Sequence, residues 1–391
     1  MIRALLLLLL VACSSPASPG DAGAAGGGSA GGGSNGGGPA GGAGGSVGGG
    51  AGIGFTRRVL TTEFRAEGVA LADLDGNGSR DVILGDTAWL APAFTRRTLV
   101  DRAPLDPATT FSDSFAVFAH DVNQDRRIDV IAVGFPLSGA VWREQPADGG
   151  RFTEHPLTGT AGSESPLFVN GRLVYARGAD LMALDPRDAG ESRLGTATAP
   201  LPGHGLGYSD VTGDGLADYL TPLGVFVAPT FGFVPADLGP DCAQMYAFDL
   251  NGDGLNDVVS SSAHGKGVWW HEQRAAMTFV RHTIDDEFSQ SHALAVADLD
   301  GDGRPELITG KRRWAHGPAG DVDPNAPAVL HWYSSRVLSD AGVEWTRHVV
   351  DTEADSGVGT QFEVADVTGD GLLDVVVANK VGVHVFEQTR P

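Results

Sequence analysis

Beyond residue 54 the apolar residues fall in short, partly alternating runs separated by Asp- and Gly-rich turns. Alternation of this length, bounded by turn signals, predicts β-strands rather than helices. The stretch from 244 to 285 shows the order. "MYAFD" is a first strand and an acidic loop follows it. Then come a strand in "NDVVSSS", a turn at "AHGKG", a strand "VWWHEQ" and a strand "TFVRHTI". The unit has four strands, and its acidic loop joins the first two.

That loop recurs. "DLDGNGSRD" begins at 73, "DVNQDRRID" at 121, "DVTGDGLAD" at 210, "DLNGDGLND" at 249, "DLDGDGRPE" at 298 and "DVTGDGLLD" at 366. Successive starts differ by 48, 89, 39, 49 and 68 residues. The gap of 89 spans two periods, and its middle holds "PLFVNGRLVYARG" (166–178), which keeps an Asn-Gly turn and the strand after it but has lost the acids. The gap of 68 carries an insertion, "KRRWAHGPAGDVDPNAP" (311–327). Seven units result, six with an acidic loop. Four-stranded units of 40 to 50 residues indicate propeller blades, so the expected fold is an all-β, seven-bladed β-propeller.

The chain ends test ring closure. Fourth strands resemble one another: "FTRRTLVD" at 94, "FTEHPLTG" at 152, "FVRHTIDDE" at 279 and "WTRHVVDTE" at 345. The last unit stops at "VHVFEQTRP" without one, and "FTRRVLTTE" (55–63) supplies it. The N-terminal strand is therefore expected to complete the last blade, leaving no open sheet edge. The propeller should span 55–391.

Alternate carboxylates in a tight turn are the donor pattern of a hard cation such as Ca²⁺. An EF-hand is excluded, because position twelve of the loop at 298 is Thr309 rather than Glu and the flanks read as strands. The inner strand, the Asp-x-[Asp/Asn/Thr]-x-Asp-Gly-x-x-Asp loop and the apolar strand after it resemble FG-GAP/VCBS repeats, which build integrin-alpha-like seven-bladed propellers. That resemblance implies calcium ligands at Asp73, Asp75, Asn77 and Asp81; Asp121, Asn123, Asp125 and Asp129; Asp210, Thr212, Asp214 and Asp218; Asp249, Asn251, Asp253 and Asp257; Asp298, Asp300, Asp302 and Glu306; and Asp366, Thr368, Asp370 and Asp374. Up to six structural Ca²⁺ ions are expected. The loop at 121 departs from the pattern, since Arg126 stands where the others have Gly, and should be the weakest.

Residues 1–54 differ in kind. "MIRALLLLLLVAC" has a basic residue and an apolar run too short to span a bilayer, so 1–12 reads as a signal peptide. Leu-Val-Ala-Cys resembles a bacterial lipobox, implying lipidation of Cys13; an ordinary secretory signal with an incidental Cys is the plainer alternative. Residues 13–54 are Gly/Ser-rich, as a flexible tether would be. The expected location is the bacterial cell envelope, as an outer-membrane lipoprotein held to the membrane by its lipid alone. The other cysteine is Cys242, so a lipidated Cys13 leaves no disulfide to stiffen an exported fold, a role that falls to calcium. Net charge is −22, and nineteen carboxylates lie in the six loops, so the acidity is largely loop acidity. Basic residues are scattered, which excludes a nucleic-acid footprint. No Walker loop, Gly-x-Ser-x-Gly elbow or His-Glu-x-x-His is present. A monomer is expected.

Counting back five or six residues from each loop finds Glu67, His204, Gln244, His292 and Gln361, at equivalent starts of inner strands. They should face the axis on the side opposite the acidic loops, half in water, where the second-to-third-strand turns add His264, Lys311 and Lys380. A wet channel is lined by polar groups anyway, but convergent polar groups in a concavity are the default binding site. Two function classes follow. The favoured one is a surface-tethered module that binds a glycan or protein at this face, with room for a further metal at the channel mouth. The other is a carbohydrate lyase or dehydratase, in which His204 or His292 acts as base or metal ligand and Lys311 steadies an enolate. "QSHALAVADLDGDG" and "GKRRWAHGP" carry a weaker similarity to the propeller region of aldos-2-ulose dehydratase. Trp269, Trp270, Trp314 and Trp332 are candidates for sugar stacking, with blade core the expected place for most of them.

Overall fold

The computed structural model describes residues 52–135, 139–157, 163–239, 242–339, 342–351 and 356–390. The chain separates into two units, 1–48 and 49–391. Cys13, the signal segment and nearly all of the tether lie outside the described residues.

The described residues form seven antiparallel sheets of four strands each, the blades of a β-propeller. Blade one comprises β2 (Ala70–Ala72), β3 (Asp81–Ile83), β4 (Thr87–Leu90) and β5 (Thr95–Thr98), after an N-terminal β1 (Gly54–Thr61) that belongs elsewhere. Blade two is β6 (Ala116–His120), β7 (Asp129–Val133), β8 (Ala140–Glu144) and β9 (Thr153–Leu157). Blade three is β10 (Leu167–Val169), β11 (Arg172–Arg177), β12 (Asp180–Asp185) and β13 (Gly190–Thr196), and blade four is β14 (Gly207–Ser209), β15 (Asp218–Thr221), β16 (Gly224–Val227) and β17 (Gly232–Pro235). Blade five is β18 (Tyr246–Phe248), β19 (Asp257–Ser261), β20 (Lys266–Ala275) and β21 (Thr278–Ser289). Blade six is β22 (Leu294–Ala297), β23 (Glu306–Gly310), β24 (Leu330–Val337) and β25 (Val343–Val349). Blade seven has β26 (Phe362–Ala365), β27 (Asp374–Asn379) and β28 (Gly382–Thr389), and β1 is its fourth strand.

Ring closure is as the sequence predicts, one residue earlier. β1 pairs with β28 in antiparallel register from Gly54 opposite Thr389 to Thr61 opposite Val383. The seam is packed as well as hydrogen-bonded: Val82 and Trp89 of blade one, Val376 and Val385 of blade seven, and Ile308 and Trp332 of blade six share one buried cluster. Between blades five and six the same role falls to Val259, Trp270, Leu294, Leu307 and Tyr333. The recurrent His of the fourth strands has a packing cause. His155, His282 and His348 lie flat on the third-strand Trp142, Trp270 and Trp332, with ring centroids 4.3, 4.5 and 3.8 Å apart.

Each acidic loop is held by its own carboxylates. The first Asp caps the turn: Gly78 donates to Asp73 Oδ2 at 2.9 Å, and Gly303 to Asp298 Oδ2 at 2.9 Å. The last acid opens the second strand and is buried. Asp81 accepts the Leu74 amide at 2.8 Å and the Ala91 amide at 2.7 Å, and so ties its loop to the end of the third strand. Asp129, Asp218 and Asp374 repeat both bonds. Position nine therefore has a fold-holding task beyond the ligand role that the family resemblance implies. Blade three, without acids, turns in two residues, Asn170 and Gly171 at φ 51° and 76°, the conformation a tight hairpin favours.

Two loop positions, not one, need left-handed backbone. Gly76 and Gly78 have φ of 78° and 88°, and Gly301 and Gly303 have 79° and 88°. In the departing loop these places are taken by Gln124 and Arg126, at φ 65° and 70°. A side chain there is strained, and the extra freedom of unfolded Gly offsets only part of that strain. Replacing Arg126 by Gly should raise stability by about 0.5–1 kcal/mol, whereas Gly303→Ala should lower it by about 1 kcal/mol. Urea unfolding at fixed calcium measures both, and equal midpoints for wild type and Arg126→Gly would contradict the strain.

Two buried histidines make part of the stability depend on pH. Burial, reinforced by Arg281, pushes His271 down to about 4, and burial with Arg57 pushes His384 down to about 4. Unfolded, each would take up a proton near pH 6.5. At each of these two groups the unfolded chain binds more protons between pH 6.5 and about 4, and the stability that the group contributes falls as pH falls through that window. The loss is on the order of 2–3 kcal/mol per histidine. His271→Gln and His384→Gln should each flatten the slope of stability against pH there, as read by denaturant titration at several pH values.

Candidate functional site

In every blade the first strand runs toward the turn that joins it to the second, an acidic loop in all but blade three, so residues before that strand lie at the other end of the axis. The second-to-third-strand turns lie at that same end, because the strands are antiparallel; Leu294, opening β22, faces Thr309, near the end of β23. This is the face to which sequence assigned the candidate site.

Two of its five strand-start residues meet there. His204, before β14, and His292, before β22, have ring centroids 5.1 Å apart. His264, from the β19–β20 turn, is 4.6 Å from His204 and 5.9 Å from His292. The group's centre is Glu164, whose Oε2 lies 3.2 Å from His204 Nε2 and 3.3 Å from His292 Nε2. Beyond His264 stands His316, 4.5 Å away between centroids, with its Nδ1 2.8 Å from Asp321 Oδ1. The two histidines beside it hold the Glu164 carboxyl well below the usual range, outweighing burial. Burial, with Arg312 nearby, pushes His292 down to about 3.

Main-chain bonds set these positions. The Glu164 amide donates to the Gly203 carbonyl at 2.6 Å, fixing the Glu164 segment beside that of His204. The Gln290 amide donates to Gly265 O at 2.8 Å, and Ser261 Oγ to Ser291 O at 2.6 Å, which join the His292 segment to the His264 turn. Glu164 was missed by the sequence count because its blade has no acidic loop to count from. It lies six residues before Asn170, as Glu67, His204 and His292 lie six before their loops.

The remaining candidates do not join this cluster, and several are not half in water as expected. Glu67 is wholly buried, and its Oε1 binds Arg312 Nη2 at 2.6 Å. Gln244 and Gln361 serve the main chain: Gln244 accepts from Leu294 N at 2.9 Å and donates to Thr360 O at 3.2 Å, and Gln361 accepts from Val117 N at 2.7 Å. They strap inner strands of different blades across the channel. Lys311 is buried, with Nζ on Ser289 Oγ at 3.1 Å and a pKa pushed down to about 8 by burial. Lys380 Nζ donates to Trp314 O at 2.9 Å and lies over Phe111. His292 is wholly buried too, so it is part of the fold as well as of the cluster. Below the cluster a channel cavity of about 290 Å³ is lined by Glu164, Gln244, Tyr246, Gln361 and Glu363.

Of the tryptophans, Trp270 and Trp332 are core. Trp269 lies under Arg281, 5.2 Å from its ring. Trp314 differs. It is half-buried in the 311–327 insertion at the cluster's face, with φ of 54°, Arg313 4.7 Å over its ring and Nε1 3.0 Å from Asn325 Oδ1. A cleft of about 320 Å³ opens beside it, between Arg313, Pro324, Asn325 and Pro327.

Residues 249–309 match the FG-GAP-like repeat family model. No curated protein matches the sequence. Among solved structures, an Agrocybe aegerita lectin, described for specific recognition of non-reducing terminal N-acetylglucosamine, is similar at 16% identity over 81% of this chain and 75% of that one, with a TM-score of 0.32. A likeness at that level has no bearing on what this chain binds. None of these comparisons supports the similarity of 290–318 to aldos-2-ulose dehydratase.

The Glu67–Arg312 pair should behave as a buried ion pair. Glu67→Gln leaves the buried guanidinium without its counter-charge and should cost about 3–5 kcal/mol, while Glu67→Met with Arg312→Leu should recover most of that. Thermal melts of the two variants decide it; a Glu67→Gln protein as stable as wild type would overturn the pairing.

Proposed function

We propose that the protein is a calcium-stabilised binding module of the bacterial envelope, taking a glycan ligand on the face opposite its acidic loops. The observation that carries this is Trp314. It combines a half-buried ring, covered on one face by Arg313, with the polar side chain of Asn325 beside an open cleft. An aromatic platform edged by a few fixed polar groups suits a sugar, whose apolar face stacks while its hydroxyls find donors and acceptors. The left-handed backbone at Trp314, Asp321 and Asp323 favours a binding role, since strain of that kind collects at functional sites.

Calcium fits the loops chemically. Asp298, Asp300 and Asp302 crowd oxygens close enough to share one ion, as do Asp73, Asp75 and Asp81. Burial and the neighbouring acids push Glu306 up to about 7, the repulsion that a cation would relieve. The Cys242 thiol is buried and donates to Leu238 O at 3.0 Å. Lipidation of Cys13 would hold the module to the membrane by its tether. The lyase alternative is less well served, because Lys311 Nζ is held by Ser289 within the fold.

A glycan array probed with the calcium-loaded protein tests the binding reading. Trp314→Ala should weaken the best glycan at least about tenfold, as loss of a stacking aromatic does at a binding centre, with an unchanged melting temperature. No glycan bound, or equal binding by Trp314→Ala, would refute the reading. Chelation should lower the melting temperature by several degrees, with calcium restoring it. Cys13→Ala should move the protein from the membrane fraction to the soluble one.

A further inference from the structure

We propose that Glu164, His204, His264 and His292 bind one transition-metal ion, with Zn²⁺ the best-matched, and that this ion clasps blades three to six at the channel mouth. The inference is independent of the glycan reading and of the acidic loops.

The donor set points to the class of ion. Three imidazoles and one carboxylate suit Zn²⁺ and its neighbours, whereas Ca²⁺ and Mg²⁺ seek all-oxygen sites. One donor atom from each of the four residues lies within 4.8 Å of every other. Metal–ligand bonds of about 2.0–2.1 Å in a tetrahedron put neighbouring donors about 3.3 Å apart. The distances from Glu164 Oε2 to the facing nitrogens of His204 and His292 are 3.2 and 3.3 Å.

Hydrogen bonding alone leaves this cluster incomplete. His204 Nε2, although 3.2 Å from Glu164 Oε2, makes no hydrogen bond, and His292 Nε2 has only a 3.3 Å contact with that same oxygen. Buried polar atoms without partners are uncommon and costly. An ion at the centre would satisfy the nitrogens that face it. The four side chains come from four blades: Glu164 before β10, His204 before β14, His264 after β19 and His292 before β22. Their segments are already paired by the Glu164–Gly203 and Gln290–Gly265 main-chain bonds, so little ordering remains to be done on binding. Charge is also accommodated, since Arg312, the cation that acts most on His292, is itself paired with Glu67.

His264 is shared with a second group, His316 and Asp321, whose donors also lie within 4.8 Å of one another. That group is the less complete, with three donors, and His316 is exposed and already bonded to Asp321 at 2.8 Å. The four-residue group is therefore assigned the ion.

The test uses the full chain, stripped with chelator and then saturated with Ca²⁺ so that the acidic loops cannot compete. Zn²⁺ titration by calorimetry should show one tight site, and Co²⁺ should give the intense visible absorption of a tetrahedral centre. His204→Gln and His264→Gln, both at partly accessible positions, should each weaken Zn²⁺ at least about 100-fold while the protein still folds with calcium. Zn²⁺ should raise the melting temperature of wild type but not of these variants, and Asp321→Asn should retain the site. Absence of a Zn²⁺ site in the calcium-loaded protein, an octahedral Co²⁺ spectrum, or unweakened binding in both histidine variants would each overturn the proposal. So would loss of the site in Asp321→Asn alone.

Discussion

A carboxylate that opens the second strand and cannot reach water organises the blades. At Asp81, Asp129, Asp218 and Asp374 its two oxygens take an amide from the loop just before and an amide from the end of the third strand. A buried acceptor of that kind is worth little net when satisfied and costs much when not, so it fixes geometry more than it adds stability. Three edges of a blade are set relative to one another by one side chain. Where a Gln supplies that third-strand amide, its side chain extends the lock across the blade boundary: Gln145, Gln273 and Gln388 donate to Leu74, Val211 and Leu299 carbonyls in the preceding blade at 3.1, 3.2 and 2.8 Å. The recurring Glu-Gln at the end of a third strand is thus an inter-blade bracket.

The same geometry explains what could be read from sequence. Loop spacing is a ruler because the loop's acids are tied to the first and second strands, and strand order, blade count and the closure by β1 follow from it. Where the acids are missing the ruler has no mark, and Glu164 went unseen although its offset from Asn170 matches that of Glu67 from Asp73. Side-chain destination was less legible than position. Glu67, His204 and His292 share one place in the repeat, yet Glu67 turns to Arg312 while the histidines turn to Glu164. The difference comes from the insertion in blade six, which delivers Arg312 to Glu67 and closes that side of the mouth. A repeat pattern cannot register an insertion's effect on its neighbours.

Gln244 and Gln361 illustrate a second reason. Inner strands surrounding an axis leave amides that point across it rather than along a sheet, and a buried amide needs an acceptor. Glutamine, with one acceptor and two donors, is suited to that task. Polar residues at the start of inner strands are therefore of two kinds that composition does not separate. Some satisfy the main chain, and some are left over for chemistry. Only the hydrogen-bond inventory distinguishes them: neither His204 nor His292 serves the main chain through its side chain, and each keeps one ring nitrogen unpaired.

The two faces of the disc consequently differ in the atoms they offer. Acidic loops present oxygen on one face, in turns that all but one make with left-handed glycines. Nitrogen collects on the other, at a mouth built from strand starts and turns of several blades. Hard and borderline cations choose between such faces by donor type alone, without any need for selective shape. Stiffening would also differ in kind. A cation in an acidic loop ties together one blade, whose strands the buried carboxylate already holds. An ion among Glu164, His204, His264 and His292 would tie together four blades, and relative movement of blades is the motion that intrablade bonds do least to resist.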